Sequence, residues 1–194
     1  MIFLTNNCNA VELFDWLLGV EDNVLLFSEE LTPNAIKNRM PDMIVSYNYR
    51  HIIGKDVLSL MQDRAVNLHI SLLPWNRGVA PNIFSFLEST LCGVTIHRID
   101  AGVDTGDILL QKEIRFDYSI ETLKGVYEKS HELIQSLFKE NWDALKKCEI
   151  APRKQDGSGS FHRSSDLAQY REIINYDETI EAFLKKADGV QYLQ

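Results

Sequence analysis

The stretch that decides how this chain is interpreted is Val66-Asn67-Leu68-His69-Ile70-Ser71-Leu72-Leu73-Pro74. Its apolar residues alternate with Asn67, His69 and Ser71, and this two-residue period is typical of a β-strand. Asn67 and His69 are therefore expected to point to the same face of the strand. Because a buried parallel strand is normally apolar on both faces, a neighbouring amide and imidazole need an explanation.

Two explanations fit this polar face. A hydrogen-bonded pair inside the core is the simpler one, particularly for the histidine. The alternative is a functional site, because the polar face leads to Pro74 at the predicted strand end, and ligands bind at that edge of open α/β sheets. Since perturbed polar groups cluster at functional sites, we favour the second explanation.

The surrounding sequence alternates between short apolar strands and amphipathic helices. This βαβαβ order predicts an α/β fold, with a mostly parallel, twisted, Rossmann-like sheet flanked by helices on both faces. Strands are predicted at residues 2–4, 24–27, 43–46, 66–72, 93–99 and 108–114, and helices at 9–19 (capped by Asn9), from Thr32-Pro33, at 55–61, from Ala80-Pro81, at 120–147 and at 177–186.

Length and composition indicate a globular protein with one core. The 194 residues favour one domain over residues 1–150, followed by a tail at 151–194 that packs on it. The net charge of −8 and the pI of about 5.1 disfavour nucleic acid as a partner.

No signal peptide or membrane span is predicted. Three separated cysteines indicate reduced thiols in the cytoplasm, and a homodimer is the default expectation.

Several common sites lack support in the sequence. GxGxxG, GxxxxGK[ST] and GxSxG are absent, so dinucleotide, ATP and nucleophile-elbow sites are not predicted. The five histidines show neither HxxxH nor HExxH spacing and do not pair with cysteines, so no metal site is predicted.

Two further residues extend the polar cluster. His97 lies in the predicted strand at 93–99, where it is either a strand histidine with a backbone partner or a direct participant. Asp104 lies in a turn beside Gly106, where turn chemistry alone could explain it. Asn, His and Asp together can stabilise an oxyanion, accept a proton and orient the imidazole. With no serine or cysteine nucleophile in the set, the attacking group should belong to the substrate, as in acyl transfer to an amine.

These segments, together with Arg77-Gly78, Gly93-Val94-Thr95-Ile96-His97 and Asp104-Thr105-Gly106, resemble the signature of the 10-formyltetrahydrofolate-dependent formyltransferases. The resemblance covers residues 1 to about 147. It implies that Asn67, His69 and Asp104 are catalytic and that 10-formyltetrahydrofolate is the co-substrate. His69 would assist deprotonation of the amine, Asn67 would stabilise the tetrahedral oxyanion, and Asp104 would orient His69.

The resemblance also implies a pterin pocket between two segments. One wall would be formed by the residues that follow the third strand and the other by the loop from Asp100 to Asp104. The cofactor-binding residues predicted in this way are Tyr49, Arg50, His51, Ile52, Asp100, Val103 and Asp104.

The acceptor is predicted from residues 46–53 and 75–81, which resemble sugar N-formyltransferases that act on nucleotide-linked amino sugars. Asn76 and Arg77 would bind this substrate, with Arg77 meeting a phosphate; the alternative for Arg77 is a contact with a loop carbonyl. The segment 160–166 either folds back near the acceptor or forms a surface loop.

The family's tRNA-modifying branch usually carries a further domain, so methionyl-tRNA is not the expected acceptor. Three alternatives stay open: a catalytically idle folate-binding homologue, a formyltetrahydrofolate hydrolase, and transfer to another small amine such as glycinamide ribonucleotide.

Overall fold

The computed structural model describes residues 1–191 and contains a six-stranded sheet in the order β2-β1-β3-β4-β6-β7, with a separate two-stranded sheet of β5 and β8. The strands are β1 Ile2–Leu4, β2 Leu25–Phe27, β3 Ile44–Tyr47, β4 Ala65–His69, β5 Arg77–Gly78, β6 Gly93–Arg98, β7 Ile108–Glu113 and β8 Phe161–His162. The helices are α1 Val11–Val20, α2 Pro33–Arg39, α3 Lys55–Met61, α4 Pro81–Leu87, α5 Leu123–Glu140, α6 Trp142–Lys146, α7 Ser164–Leu167 and α8 Ile180–Gln191.

The sheet is mostly parallel, as predicted. Strands β2, β1, β3 and β4 pair in parallel, which is the arrangement that βαβ crossovers impose. The pairs β4–β6 and β6–β7 are antiparallel. The predicted α/β class with a Rossmann-like sheet is confirmed.

Helices cover both faces of the sheet and create two apolar cores. On one face, α1, α5 and α6 pack against residues such as Phe3, Val45 and Val66. On the other face, the short helices α2 and α3 pack against Ile44 and Ala65. Because α2 and α3 have only seven residues each, they cover the first strands and leave the polar part of β4 uncovered.

Several predicted helix boundaries were wrong, and local hydrogen bonds explain three of the differences. Asn7, not Asn9, caps the first helical turn, since its side chain accepts from the backbone N–H of residue 9. The predicted helix at 120–147 is divided at Asn141, whose side chain donates to the carbonyl of Leu137 and competes with the helical bonds. The terminal helix begins at Ile180 because Thr179 still pairs with Thr122.

The segment after residue 150 packs on the same body as the sheet. Strand β8 pairs with β5, and Arg153 bridges to Ile108 at the start of β7. A third apolar cluster joins Ile83 of α4 to Phe183 of α8. The boundary at residue 150 between catalytic domain and tail stays a prediction. Across residues 1–191, no helix combines the length and apolar character that crossing a membrane requires.

Candidate active site

The side chains of Asn67 and His69 share one face of β4, and the cross-strand partner of Asn67 is His97 of β6. This is the face on which α2 and α3 pack, beyond the part that those helices cover. The strand register therefore brings an amide and two imidazoles together at the open part of the sheet.

Asp104 reaches this cluster through a backbone reversal. Because β6 runs antiparallel to β4, the chain leaves β6 near the beginning of β4, where the N–H of Ile99 donates to Ala65. The following loop must then fold back over the sheet. It contains Asp104 in the left-handed region, with φ of 53°, a conformation that costs an L-residue about 1–2 kcal/mol. The surrounding contacts have to compensate for that cost.

Both carboxylate oxygens of Asp104 are engaged. Oδ1 accepts a hydrogen bond from Asn67 Nδ2 at 3.1 Å and lies 3.3 Å from His97 Nε2. Oδ2 accepts from the backbone N–H of Gly78 at 2.9 Å and lies 3.6 Å from His69 Nδ1. The three residues predicted to be catalytic thus meet around one carboxylate.

The environment of Asp104 keeps its carboxylate ionised. Burial by itself would raise the pKa of the Asp104 carboxyl, whose side chain is only 12% exposed. The charge of His69 when protonated, the hydrogen bond and charge of His97 when its Nε2 is also protonated, and the Gly78 N–H together outweigh that effect and lower the pKa well below its usual range. Asp104 is therefore an anion at neutral pH.

The hydrogen bonds of His69 identify the ring nitrogen that is available as a base. Nε2 lies 3.0 Å from the carbonyl oxygen of Asn76, which can only accept, so Nε2 carries the proton. In the neutral ring, Nδ1 then holds the lone pair and faces Asp104. A proton taken up at Nδ1 would be stabilised by the carboxylate.

His97 was not predicted to be catalytic, and the sequence left it either a strand histidine with a backbone partner or a direct participant. Its Nδ1 donates to the carbonyl of Arg98 at 2.7 Å, which is the predicted backbone partner. Its Nε2 lies 3.2 Å from Asn67 Nδ2 and can accept one of that amide's hydrogens. His97 thus has a backbone partner and also belongs to the cluster. Its signal in the sequence was the alternation within β6, which places it on the face of Asn67.

A cavity of about 470 Å³ opens beside the cluster. Asn67, His69 and Asp104 line it, together with the segment after β3 and the loop after β6. Its volume suits a small organic ligand. The predicted cofactor-binding residues all line it, namely Tyr49, Arg50, His51, Ile52, Asp100, Val103 and Asp104.

The structure places Asn76 and Arg77 outside the lining of this cavity. Asn76 is 0% exposed, and its side chain donates to Thr90 Oγ1 at 2.7 Å. The guanidinium of Arg77 donates twice to Gln155 Oε1, at 3.0 and 2.9 Å. Substrate contact by these two residues stays a prediction that the observed contacts do not support, because both polar groups already have internal partners. Arg77 contacts a side-chain amide, not the loop carbonyl of the alternative.

The tail contributes to the site. The sequence had left open whether its segment 160–166 folds back near the acceptor or forms a surface loop. Pairing of β8 with β5 places Phe161 beside Gly78, and Ser164 lines the cavity. Gly78 has φ of 87°, and a Cβ there would lie 2.3 Å from the carbonyl oxygen of His162. The segment 160–166 therefore folds back onto the site. Gln155 was missed because nothing in its local sequence distinguishes it from other polar tail residues.

An α/β sheet with a polar Asn-His-Asp cluster beside a ligand-sized cavity is the arrangement expected of an open-sheet active site. Comparison with known proteins makes this specific. A family model described as formyl transferase matches residues 21–141. The chain belongs to this formyl transferase family, whose members are enzymes that transfer formyl groups. The predicted family is confirmed.

Two kinds of relatives are similar to the chain. The formyltransferase PseJ from Anoxybacillus kamchatkensis, solved with UDP-4,6-dideoxy-4-formamido-L-AltNAc and tetrahydrofolate, is 35% identical, with a TM-score of 0.85 over 94% of this chain and 96% of that one. A structure described as a sugar N-formyltransferase, Rv3404c of Mycobacterium tuberculosis, is 25% identical, with a TM-score of 0.80 over 94% and 83%. Methionyl-tRNA formyltransferase of Thermotoga maritima is 34% identical over 80% of this chain and 47% of its own length. That of Anaeromyxobacter sp. (strain K) is 47% identical over 46% of this chain and 30% of its own length. The chain spans less than half the length of these tRNA-modifying relatives.

Proposed function

We propose that this protein transfers the formyl group of 10-formyltetrahydrofolate to the primary amine of a nucleotide-linked amino sugar. The observation that carries the proposal is the convergence of Asn67 and His69 on the carboxylate of Asp104 in the lining of the cavity. Support for the sugar comes from the similarity to PseJ, which extends over nearly the whole of both chains. The net charge of −8 is also unfavourable for a tRNA acceptor.

The folate would occupy the cavity, with its pterin between the segment 49–52 and the loop 100–104. Ile52 is 74% exposed there and offers an apolar surface to an aromatic ring. Tyr49 is anchored by its hydroxyl, which accepts from the N–H of Leu31 at 3.1 Å. One wall is thus fixed to the core while its apolar tip stays available to a ligand.

In the reaction, the amine nitrogen attacks the formyl carbon and the carbonyl electrons move to oxygen. His69 accepts the proton lost by the amine at Nδ1, where the carboxylate of Asp104 stabilises the imidazolium. Collapse of the intermediate breaks the bond between the formyl carbon and N10, and the proton moves to N10 of the departing tetrahydrofolate. No covalent enzyme intermediate is needed.

Asn67 would stabilise the oxyanion. One of its amide hydrogens is committed to Asp104 Oδ1, while the second is directed at His97 Nε2. We propose that the developing oxyanion takes the place of His97 Nε2 as the acceptor of this second hydrogen when substrate is bound, since a donor placed there is worth most in the transition state.

The test is an acceptor panel with the purified protein and 10-formyltetrahydrofolate. UDP-linked 4-amino-4,6-dideoxy sugars, glycinamide ribonucleotide and methionyl-tRNA are compared, with product and tetrahydrofolate both quantified by mass spectrometry. The expected result is formylated sugar in equal amount to tetrahydrofolate. Formate released at the same rate without any amine would instead identify a hydrolase, and product from methionyl-tRNA alone would overturn the sugar assignment.

Folate binding without turnover on any acceptor would favour the idle homologue. The proposal also includes a homodimer and a cytoplasmic location, where 10-formyltetrahydrofolate and nucleotide sugars would both be available.

A further inference from the structure

Gln155 uses its complete hydrogen-bonding capacity to connect the Asp104 loop with β5. Its Nε2 donates to the carbonyl oxygens of Asp104 and Gly106, at 2.8 Å each. Its Oε1 accepts from Nε and Nη2 of Arg77. Arginine can only donate and carbonyls can only accept, so these partners fix the orientation of the amide.

These bonds close a ring around the carboxylate. Arg77 is adjacent in sequence to Gly78, whose N–H donates to Asp104 Oδ2. The side chain of Asp104 is therefore bound directly by Gly78 of β5. The backbone of Asp104 is bound by Gln155, and Gln155 in turn is bound by Arg77 of β5. Two attachments of one residue to the same short strand fix both the position and the direction of the carboxylate.

The loop needs such restraints. Asp104 has a left-handed backbone, and strained residues persist only when surrounding contacts determine them. Gly106 approaches β6 so closely that a Cβ on it would lie 1.8 Å from the carbonyl oxygen of Arg98. A loop this tightly folded has few alternative ways to satisfy the two carbonyls that Gln155 binds.

We propose that Gln155 is a positioning residue for formyl transfer, which holds Asp104 at the correct distance from His69 and Asn67, with Arg77 as its support. This inference rests on the proposed function for its kinetic readout. It gives Arg77 a role in the architecture of the catalytic centre and makes the tail a part of that centre.

A purely structural role as an anchor of the tail would have different consequences. The tail is also attached by the backbone pair of Arg153 with Ile108 and by the hydrogen bond from the N–H of Ser160 to the carbonyl of Pro74. Loss of Gln155 therefore leaves the tail attached on both sides. What it removes is the restraint on the two loop carbonyls.

Two substitutions distinguish the hydrogen bonds that Gln155 donates to the Asp104 loop from those that it accepts from Arg77. Gln155→Glu keeps the acceptor for Arg77 and even strengthens the pairing, but it cannot donate to Asp104 and Gly106. Gln155→Met keeps the length of the side chain and removes both halves. Lys154→Met is the matched control, because this neighbouring tail residue pairs with Asp107 on the surface and does not contact the cluster.

The first measurement is the ¹³C NMR titration of the Asp104 carboxyl, assigned with Asp104→Asn, because it does not depend on turnover. Both Gln155 variants should titrate at higher pH than the wild type, since a displaced carboxylate loses the bonds from Asn67 and Gly78 that favour its ionised form. Lys154→Met should titrate like the wild type. An unshifted titration in Gln155→Met, which adds no charge beside Asp104, would overturn the proposal, even if the wild type transfers no formyl group.

The second measurement is the separate determination of kcat and KM for formyl transfer. We expect kcat to fall about 10- to 100-fold in both Gln155 variants, the effect of a displacement of about 1 Å in a catalytic group. KM for 10-formyltetrahydrofolate should stay close to that of the wild type, because Gln155 does not line the cavity. Gln155→Glu with wild-type kcat would refute the positioning role and leave only an anchor of the tail.

Discussion

Replacement of Asp104 by asparagine tests the centre of the proposed mechanism. Asparagine has nearly the same shape but no charge, and it offers one acceptor where the carboxylate offers two. The native oxygens accept from Asn67 and Gly78 on opposite sides. An asparagine that keeps one of these bonds must turn its NH₂ group towards the other donor, so one side of the cluster loses its partner.

The loss of rate follows from the distance between Asp104 Oδ2 and His69 Nδ1, which is 3.6 Å. Two unit charges at this separation attract each other by about 4–5 kcal/mol when the effective dielectric constant is about 20. The imidazolium of His69 forms only as the amine is deprotonated, so the attraction acts on the transition state and not on the free enzyme. At about 1.4 kcal/mol for each factor of ten, kcat should fall about 10³-fold.

The assay is formation of formylated sugar under saturating 10-formyltetrahydrofolate, with tetrahydrofolate binding measured separately by calorimetry. Asp107→Asn is the matched control, because Asp107 lies in the same loop but pairs with the exposed Lys154. It should retain the wild-type rate. If Asp104→Asn binds tetrahydrofolate, melts within a few degrees of the wild type and still has kcat within tenfold of it, the electrostatic argument is refuted.

Three further predictions concern other parts of the molecule. Burial lowers the pKa of His131 to about 4, so the folded state accommodates the neutral imidazole. About 3 kcal/mol of the free energy of unfolding should therefore be lost as the pH falls from 6.5 through 4. Urea unfolding of the wild type should show this pH dependence, and His131→Phe should remove it. Gly106→Ala should lower kcat at least tenfold and also lower the melting temperature, because the new Cβ would collide with the carbonyl of Arg98. An unchanged melting temperature would contradict the predicted collision. Ile52→Asp should weaken tetrahydrofolate binding about tenfold without loss of stability, because the Ile52 side chain is exposed and lines the cavity. Calorimetry measures the affinity, and an unchanged value would remove Ile52 from the folate site.

Most of the fold could be predicted because it depends on local pattern. The helix α3 was predicted at its observed bounds, and α2 begins at Pro33, as predicted from Thr32-Pro33. The antiparallel direction of β6 relative to β4 was not specified by the sequence, since alternation of apolar and polar residues looks the same in both directions. The break at Asn141 was also missed, because it depends on one side-chain hydrogen bond within a continuous apolar stripe.

The sequence by itself determined which chemical groups are available: Asn67 and His69 lie two residues apart on a strand, so the strand geometry alone places them on one face. It also predicted the family and the two segments that line the cavity. The tertiary structure decided how these groups act. The partner of His69 Nε2, the two donors to Asp104 and the bridge through Gln155 all join residues that are distant in the chain. No local pattern encodes such contacts, because they arise only when the antiparallel strand, the reversed loop and the returning tail fold against one another.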